Sequence, residues 1–415
     1  MIDMKMMKKF PISYWLATGY DTPWESDGTE KIDTWNDLGI TLAMVPCNLD
    51  YKEQVYSVLD RAQKYDMKVF LCDPRANWRT LMKEGEEKYR EGMKEAIADF
   101  GSHPAMFGFF IGDEPDAPDA EAAFKAVRIN NEMAPHLTAY LNLLPWCDWI
   151  GPRMGTDAYA PYLDRVVNEG KTKLLSYDCY AQMWPDREVA YRDYFNNLRE
   201  YYLASKRNDV PFFNIVLSSG HYDYRCPSKE DMWWQLTTSV AHGASGVTWF
   251  VLEIPGLWEN YRNLPINMLG DRTEQFYWLR EVNCIFNNYC GEVMATLKID
   301  KCYHVGEAYG GMPLFEPFDN IVDVQGNNPL IISSFYNEEG ERFYVICNNC
   351  PEESTHFTLK AKGSINLTRC VYGNKFEPIK MSSDPIAELK QVPDQSIGLW
   401  LAPGQMVLLK EEMKS

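Results

Sequence analysis

Apolar runs of strand length recur eight times along the first two thirds of the chain, each followed by a stretch of helical period. The runs are ISYWLAT (12–18), GITLAMVPC (39–47), KVFLCDP (68–74), MFGFFIGDEP (106–115), LTAYLNLLP (137–145), KLLSYDCYA (173–181), PFFNIVLSSG (211–220) and GVTWFVLE (246–253). Each is apolar almost throughout rather than alternating, as expected when both faces of a strand are buried. Between them lie amphipathic segments such as YKEQVYSVLDRAQKYDM, with Val55, Leu59 and Ala62 on one face. Eight such units predict an α/β fold with a (β/α)8 TIM barrel over residues 1–296. An open doubly wound sheet also alternates, but would carry a glycine-rich turn after its first strand, and ATGYDTPW supplies none.

Beyond residue 296 the helical period disappears. LIISSFYN, ERFYVICNN, THFTLKA, INLTRCVYG, QSIGLWLAP and QMVLLK are short strand-like runs separated by turn residues. They predict a small C-terminal antiparallel β-sandwich over residues 297–415, packed on the barrel side.

Strand ends at the C-terminal face of such a barrel line its mouth, and here several end in carboxylates. The fourth run terminates in Asp113, Glu114 and Pro115. The third ends in Asp73 and Arg75, the sixth in Asp178 between Tyr177 and Tyr180, the seventh in Ser218, Ser219 and His221, and the eighth in Glu253. Burying carboxylates is costly, so acids at these positions point to chemistry. A capping role for Asp113 or Glu114 competes, although Asp116 and Asp119 serve that purpose equally well. Asp178 as an arginine's partner and Glu253 as a rim residue are the corresponding structural readings.

Aromatics make up 14% of the chain, with 13 Trp and 25 Tyr. Much of this is core packing, but Trp15, Tyr20, Tyr180, Trp184, Trp249 and Trp258 fall near strand ends, where flat rings suit the apolar faces of sugars. Paired acids amid rings suit glycosidic cleavage, in which one protonated carboxyl gives its proton to the leaving oxygen and a second, ionised, attacks or activates water. Asp113, Asp73, Arg75, Trp15, Tyr20, Tyr180, His221 and Trp249 are the substrate-binding candidates.

GFFIGDEP, LSYDCY, HGASGVTWFVLE and the trailing strand-rich segment together resemble barrel glycoside hydrolases of the large clan with paired catalytic glutamates. They are most similar to a poorly characterised bacterial group whose fourth strand ends in GDEP; the β-galactosidases with a related barrel are more distant. The resemblance spans essentially the whole chain and implies that Glu114 is the general acid/base. It also implies a nucleophilic glutamate at the end of strand seven, where this chain has VLSSGH. Glu253 and Asp178 are the candidates for the second carboxylate. A catalytically silent carbohydrate-binding protein that kept the barrel is the alternative.

Other chemistries are poorly served. The chain has 6 His, with no H-x-H pair, so a metal-dependent hydrolase lacks ligands, and neither metal nor cofactor is expected. Ser218 or Ser219 with His221 lacks a G-x-S-x-G elbow. Cys347 and Cys350 form a CNNC with no second pair to complete a zinc site. A net charge of -18 without a basic stripe argues against nucleic acid, and no apolar run is long enough to span a membrane. The 11 cysteines, several in apolar runs, fit a reducing compartment. With no signal-peptide pattern in MIDMKMMKKFPISYW, a complete chain would be cytoplasmic, and a trimmed one exported or periplasmic.

Overall fold

The structure, a computed structural model, describes residues 7–16, 27–254, 260–379, 389–392 and 396–414. Its first eight strands are β1 (Ile12–Tyr14), β2 (Leu42–Pro46), β3 (Lys68–Cys72), β4 (Met106–Asp113), β5 (Thr138–Asn142), β6 (Leu175–Asp178), β7 (Phe212–Leu217) and β8 (Gly246–Phe250). All pair in parallel, in two four-stranded sheets ordered β2-β3-β4-β5 and β1-β8-β7-β6. The sheets meet at two seams. Leu143 N–H donates to Ser176 O (2.9 Å) at one, and Thr41 N–H to Ile12 O (2.9 Å) at the other.

Side chains alternate between a face shared by the two sheets and a face covered by helices. On the shared face Phe70 stacks on Tyr140 (4.4 Å), Trp15 meets Phe110 edge-on (5.5 Å), and the Tyr140 hydroxyl reaches Ser176 Oγ across the gap (3.0 Å). On the helix-covered face Tyr14 packs on Trp35 and Tyr177 on Tyr201. Burial on both sides explains why these strands read as unbroken apolar runs.

The covering helices form because their apolar residues fall on one stripe. In Lys52–Lys64 that stripe is Val55, Val58, Leu59 and Ala62, all buried. Truncating Leu59 to Ala there would cost ~2–5 kcal/mol. Lys229–Ala241 differs: every residue from Asp231 to Ala241 is buried. One side lies on β7 and β8, the other under the antiparallel sheets. A Ser228–Asp231 capping box starts it.

The antiparallel part begins with β9 (Lys298–Val305) and continues through β10 (Ile321–Gly326), β11 (Leu330–Tyr336), β12 (Arg342–Asn348), β13 (Thr355–Ala361), β14 (Ile365–Val371), β15 (Lys375–Pro378), β16 (Leu389–Val392), β17 (Ser396–Leu401) and β18 (Met406–Met413). They form two sheets, β15-β14-β18-β12-β11-β9 and β10-β13-β17-β16. Leu330, Ile332, Ile346, Phe357, Leu359 and Leu399 fill the space between the sheets. The alternate residues Ile331, Phe335, Phe343 and Val345 join the core of the parallel part instead, so β11 and β12 are buried on both faces. Polar bonds fix this contact: Trp234 Nε1 to Asn349 Oδ1 (2.9 Å), Thr237 Oγ1 to Gly404 O (2.5 Å) and Ser333 Oγ to Ala241 O. Gly404, at φ +65°, permits the approach, because a Cβ there would lie 2.6 Å from Trp234 N.

The 11 cysteines are unpaired. Among the described residues no helix is long and apolar enough to cross a membrane, and no group of three His, Cys, Asp or Glu is arranged to hold a metal ion.

Candidate active site

Strict alternation along β4 would aim Asp113 at the helices, since Phe110 faces the shared interior. A bulge reverses it. Phe110 pairs with Tyr140, Gly112 with Leu141 and Asp113 with Asn142, leaving Ile111 as an extra residue. Asp113 therefore turns inward. Gly112 is required at this point: its φ is +152°, and a Cβ would lie 2.2 Å from the Trp78 ring. Glu114 follows in the left-handed region (φ +40°), its N–H donating to Asn142 O (3.0 Å). A non-glycine residue held there costs ~1–3 kcal/mol, and Pro115 ends the strand.

Three carboxyls converge. Asn142 Nδ2 donates to Asp113 Oδ1 (3.0 Å) and to Asp178 Oδ1 (2.8 Å), while its own Oδ1 accepts from Ser176 Oγ (3.0 Å). The Glu114 carboxyl donates to Asp178, and the Tyr180 hydroxyl donates to Asp178 as well. Among the described residues the cation paired with Glu114 is Arg153, whose Nη2 is 3.6 Å from Oε2 and whose Nε is committed to Asp116.

The electrostatics follow. Burial, then the charges of Asp178 and Asp113, push Glu114 up to about 9. Burial, then Asp178, pushes Asp113 up to about 7. Burial also raises Asp178, opposed by the hydrogen bonds from Asn142, Glu114 and Tyr180. Asp178 collects the donors, and Glu114 keeps its proton at neutral pH. Carboxyls that share hydrogen bonds and differ in their donors are the kind of pair that acid–base catalysis uses.

Rings flank the cluster. Tyr180 stacks on Phe250 (5.2 Å) and meets His221 edge-on (5.6 Å), His221 stacks on Tyr261 (5.2 Å), and Trp184 lies parallel to Tyr224 (5.9 Å). Burial, then Arg262, lowers His221 to about 4, so it is a neutral wall residue. Trp15 points inward onto Phe110.

Other strand-end candidates lie elsewhere. Asp73 and Arg75 require correction: Asp73 is one residue past the inward Cys72 and turns to the helices. There Arg75 grips it through Nε (3.0 Å) and Nη2 (2.7 Å) and also holds Asp99 (2.8 Å). Trp249 is likewise corrected: it faces outward, and its Nε1 donates to Asn283 Oδ1 in the Glu274–Phe286 helix (3.0 Å). Both carboxylate oxygens of Glu253 accept from Lys31 Nζ (2.7 Å each). Tyr20 and Trp258 lie outside the described residues. Asn142, Ser176 and Arg153 were not anticipated from the sequence; the only signal for Asn142 was a lone amide inside the apolar run LTAYLNLLP.

No family model matches the chain, and no curated protein matches it. Solved structures do. The cold-adapted β-galactosidase from Rahnella sp. R3 aligns with a TM-score of 0.58 at 11% identity, covering 98% of each chain. An Anoxybacillus α-amylase aligns at 0.54 and 10% identity, covering 99% of each. The β-galactosidase of the psychrophilic Marinomonas ef1 aligns at 0.50 and 12% identity over 66% of this chain, which spans 59% of that enzyme's length. Parallel sheets wrapped by helices, with antiparallel sheets behind them, are consistent with the TIM-barrel-like glycosidase fold plus a β domain. At these identities the likeness is one of fold.

Proposed function

We propose that the chain is a glycoside hydrolase in which Glu114 is the general acid/base and Asp178 is its ionised partner. In this reading residues 1–296 are a closed (β/α)8 barrel, residues 297–415 are an accessory β-sandwich, and the chain belongs with the bacterial GDEP group. The observation that carries it is Glu114 hydrogen-bonded to Asp178 at the ends of β4 and β6, beside stacked rings, where burial and neighbouring charge favour a proton on Glu114. The folds it resembles include β-galactosidases and an α-amylase, and a carbohydrate is the expected substrate. The eleven unpaired thiols support a reducing compartment.

Glu114 is hydrogen-bonded to Asp178, and a retaining pair works at ~5–5.5 Å. A sugar entering between them must turn Glu114 away from Asp178. The turn frees Asp178 to attack or to activate water, with Asn142 and Tyr180 holding it. Asp113, bonded to the other side of the same amide, is the reserve second carboxylate. Glu253, the other second-carboxylate candidate, is neutralised by Lys31.

The test is Glu114→Gln on a panel of aryl glycosides. Loss of the acid should cost ~10²–10⁴-fold with poor leaving groups and far less with acidic ones, whose oxygen needs little protonation. Equal losses on both would rule out the acid role. A second reading, a silent sugar-binding protein, is favoured by the end of β7, which carries Ser218, Ser219 and His221 instead of a glutamate. Saturable sugar binding by a parent protein that cleaves nothing in the panel would select it.

A further inference from the structure

A cavity of about 290 Å³ opens at the ends of β3 and β4, where Phe110 of the Asp113-bearing strand lines it. That is close to the lower limit of ~300 Å³ for small-molecule sites. Cys72, Asp73, Asn77, Arg79, Thr80 and Phe110 are among its lining residues. Its acceptors are already used. Asp73 is gripped by Arg75, and Asn77 Oδ1 accepts from Arg79 N–H (2.9 Å). The Thr80 hydroxyl donates to Pro74 O (2.7 Å). Its remaining groups are donors: among the described residues the Arg79 guanidinium has no carboxylate bound to it, and Asn77 Nδ2 makes no hydrogen bond. Arg79 rests on the Trp78 ring (4.6 Å to the centroid) and acts electrostatically on Asp113. The cation is thus braced toward the acids, in a chain whose other arginines are mostly tied to carboxylates.

We propose that this cavity takes the anionic substituent, a carboxylate or a sulfate, of an acidic sugar bound beside Glu114. With the lining's one carboxylate already paired to Arg75, the free guanidinium and amide N–H groups suit an oxyanion, and a planar guanidinium binds either group through two hydrogen bonds. The same cation offsets the repulsion that the ionised Asp178 would exert on such a sugar. The inference rests on the glycosidase reading and narrows its substrate to uronides or sulfated glycosides.

Two measurements test it on the full chain. The first is calorimetric binding of glucuronate, galacturonate and galactose 6-sulfate against glucose and galactose, to the parent, Arg79→Gln and Arg79→Lys. The second is turnover of the matching 4-methylumbelliferyl glycosides in both anomers. Arg79 is exposed, so the substitutions do not threaten folding. At least one acidic sugar should bind about ten-fold or more tighter than its neutral parent. Arg79→Gln should abolish that preference and Arg79→Lys should keep part of it, and whichever of uronate and sulfate responds identifies the group. Equal binding of acidic and neutral sugars, no binding of any acidic sugar, or equal losses on both classes in Arg79→Gln would overturn the proposal. Acidic-sugar binding without turnover would sink the glycosidase reading and leave the cavity's assignment standing. Turnover of neutral glycosides alone would do the reverse.

Discussion

Asp73 and Asp113 end neighbouring parallel strands, and both are withdrawn from water, yet they are treated in opposite ways. Asp73 faces the helices and is clasped by Arg75, which also holds Asp99. Burial works against the Arg75 charge, but hydrogen bonds to Asp73 and then to Asp99 raise its pKa above the ordinary arginine value. Asp113 faces the interior with Glu114 and Asp178, and among the described residues the cation paired with this group of three acids is Arg153, 3.6 Å from Glu114. Acids buried with a cation hold the fold together. Acids buried with each other hold protons, and protons are what acid–base catalysis uses. The bulge at Ile111 and the left-handed Glu114 are what this second arrangement demands of the backbone.

The contrast can be broken at either end. The largest effect on stability is expected from Arg75→Met, which strands Asp73 and releases Asp99. Removing one partner of a buried pair costs ~3–5 kcal/mol, readable as a lower urea midpoint. A loss under ~1 kcal/mol would mean the Asp73–Arg75 clasp is ornamental. Asn142→Leu comes next. It withdraws the amide shared by Asp113 and Asp178 and should cost ~1.5–3 kcal/mol per lost charge-assisted hydrogen bond, offset in part by leucine burial. It should also move the acidic limb of the pH–rate profile upward, because Asp178 loses a donor that stabilises its charge. A purely structural Asn142 would lower stability and leave the limb in place.

The smallest effect is a slope. Glu114 folds with its pKa raised to about 9, against ~4.3 in an unfolded chain. The folded state therefore binds more protons in that window. The stability tied to the protonated group is fully present below ~4.3 and is lost as pH rises toward 9. Glu114→Gln removes the titration. Urea midpoints of the variant relative to the parent should rise steadily from pH 5 to pH 9, and a difference constant with pH would contradict the raised pKa.

Much of this molecule was legible in its residues. The eight apolar runs, the change of character after residue 296 and the convergence of strand ends rest on periodicity and composition, which report burial directly. Glu114, Asp178 and Tyr180 were picked out because a carboxylate or phenol closing a buried run is conspicuous. Which side of a strand a residue occupies was not legible. Asp73, Arg75 and Trp249 were placed with the inward residues and lie outward, because parity has period two and a single bulge inverts it. Asp113 faces the cluster only because Ile111 is extra, and nothing in GFFIGDEP announces a bulge other than Gly112.

The sequence by itself determined how many buried strands there are and roughly where they lie, and it placed acids near their ends, because hydrophobic burial writes itself into local pattern. Only the tertiary structure decided that Asn142 would bind two of those acids, that Arg75 would take Asp73 out of the site, and that Arg79 would have no carboxylate bound to it among the described residues. Those outcomes depend on contacts between residues far apart in the chain, and Coulomb and hydrogen-bond energies at distances near 3 Å are set by where the folded backbone puts the atoms.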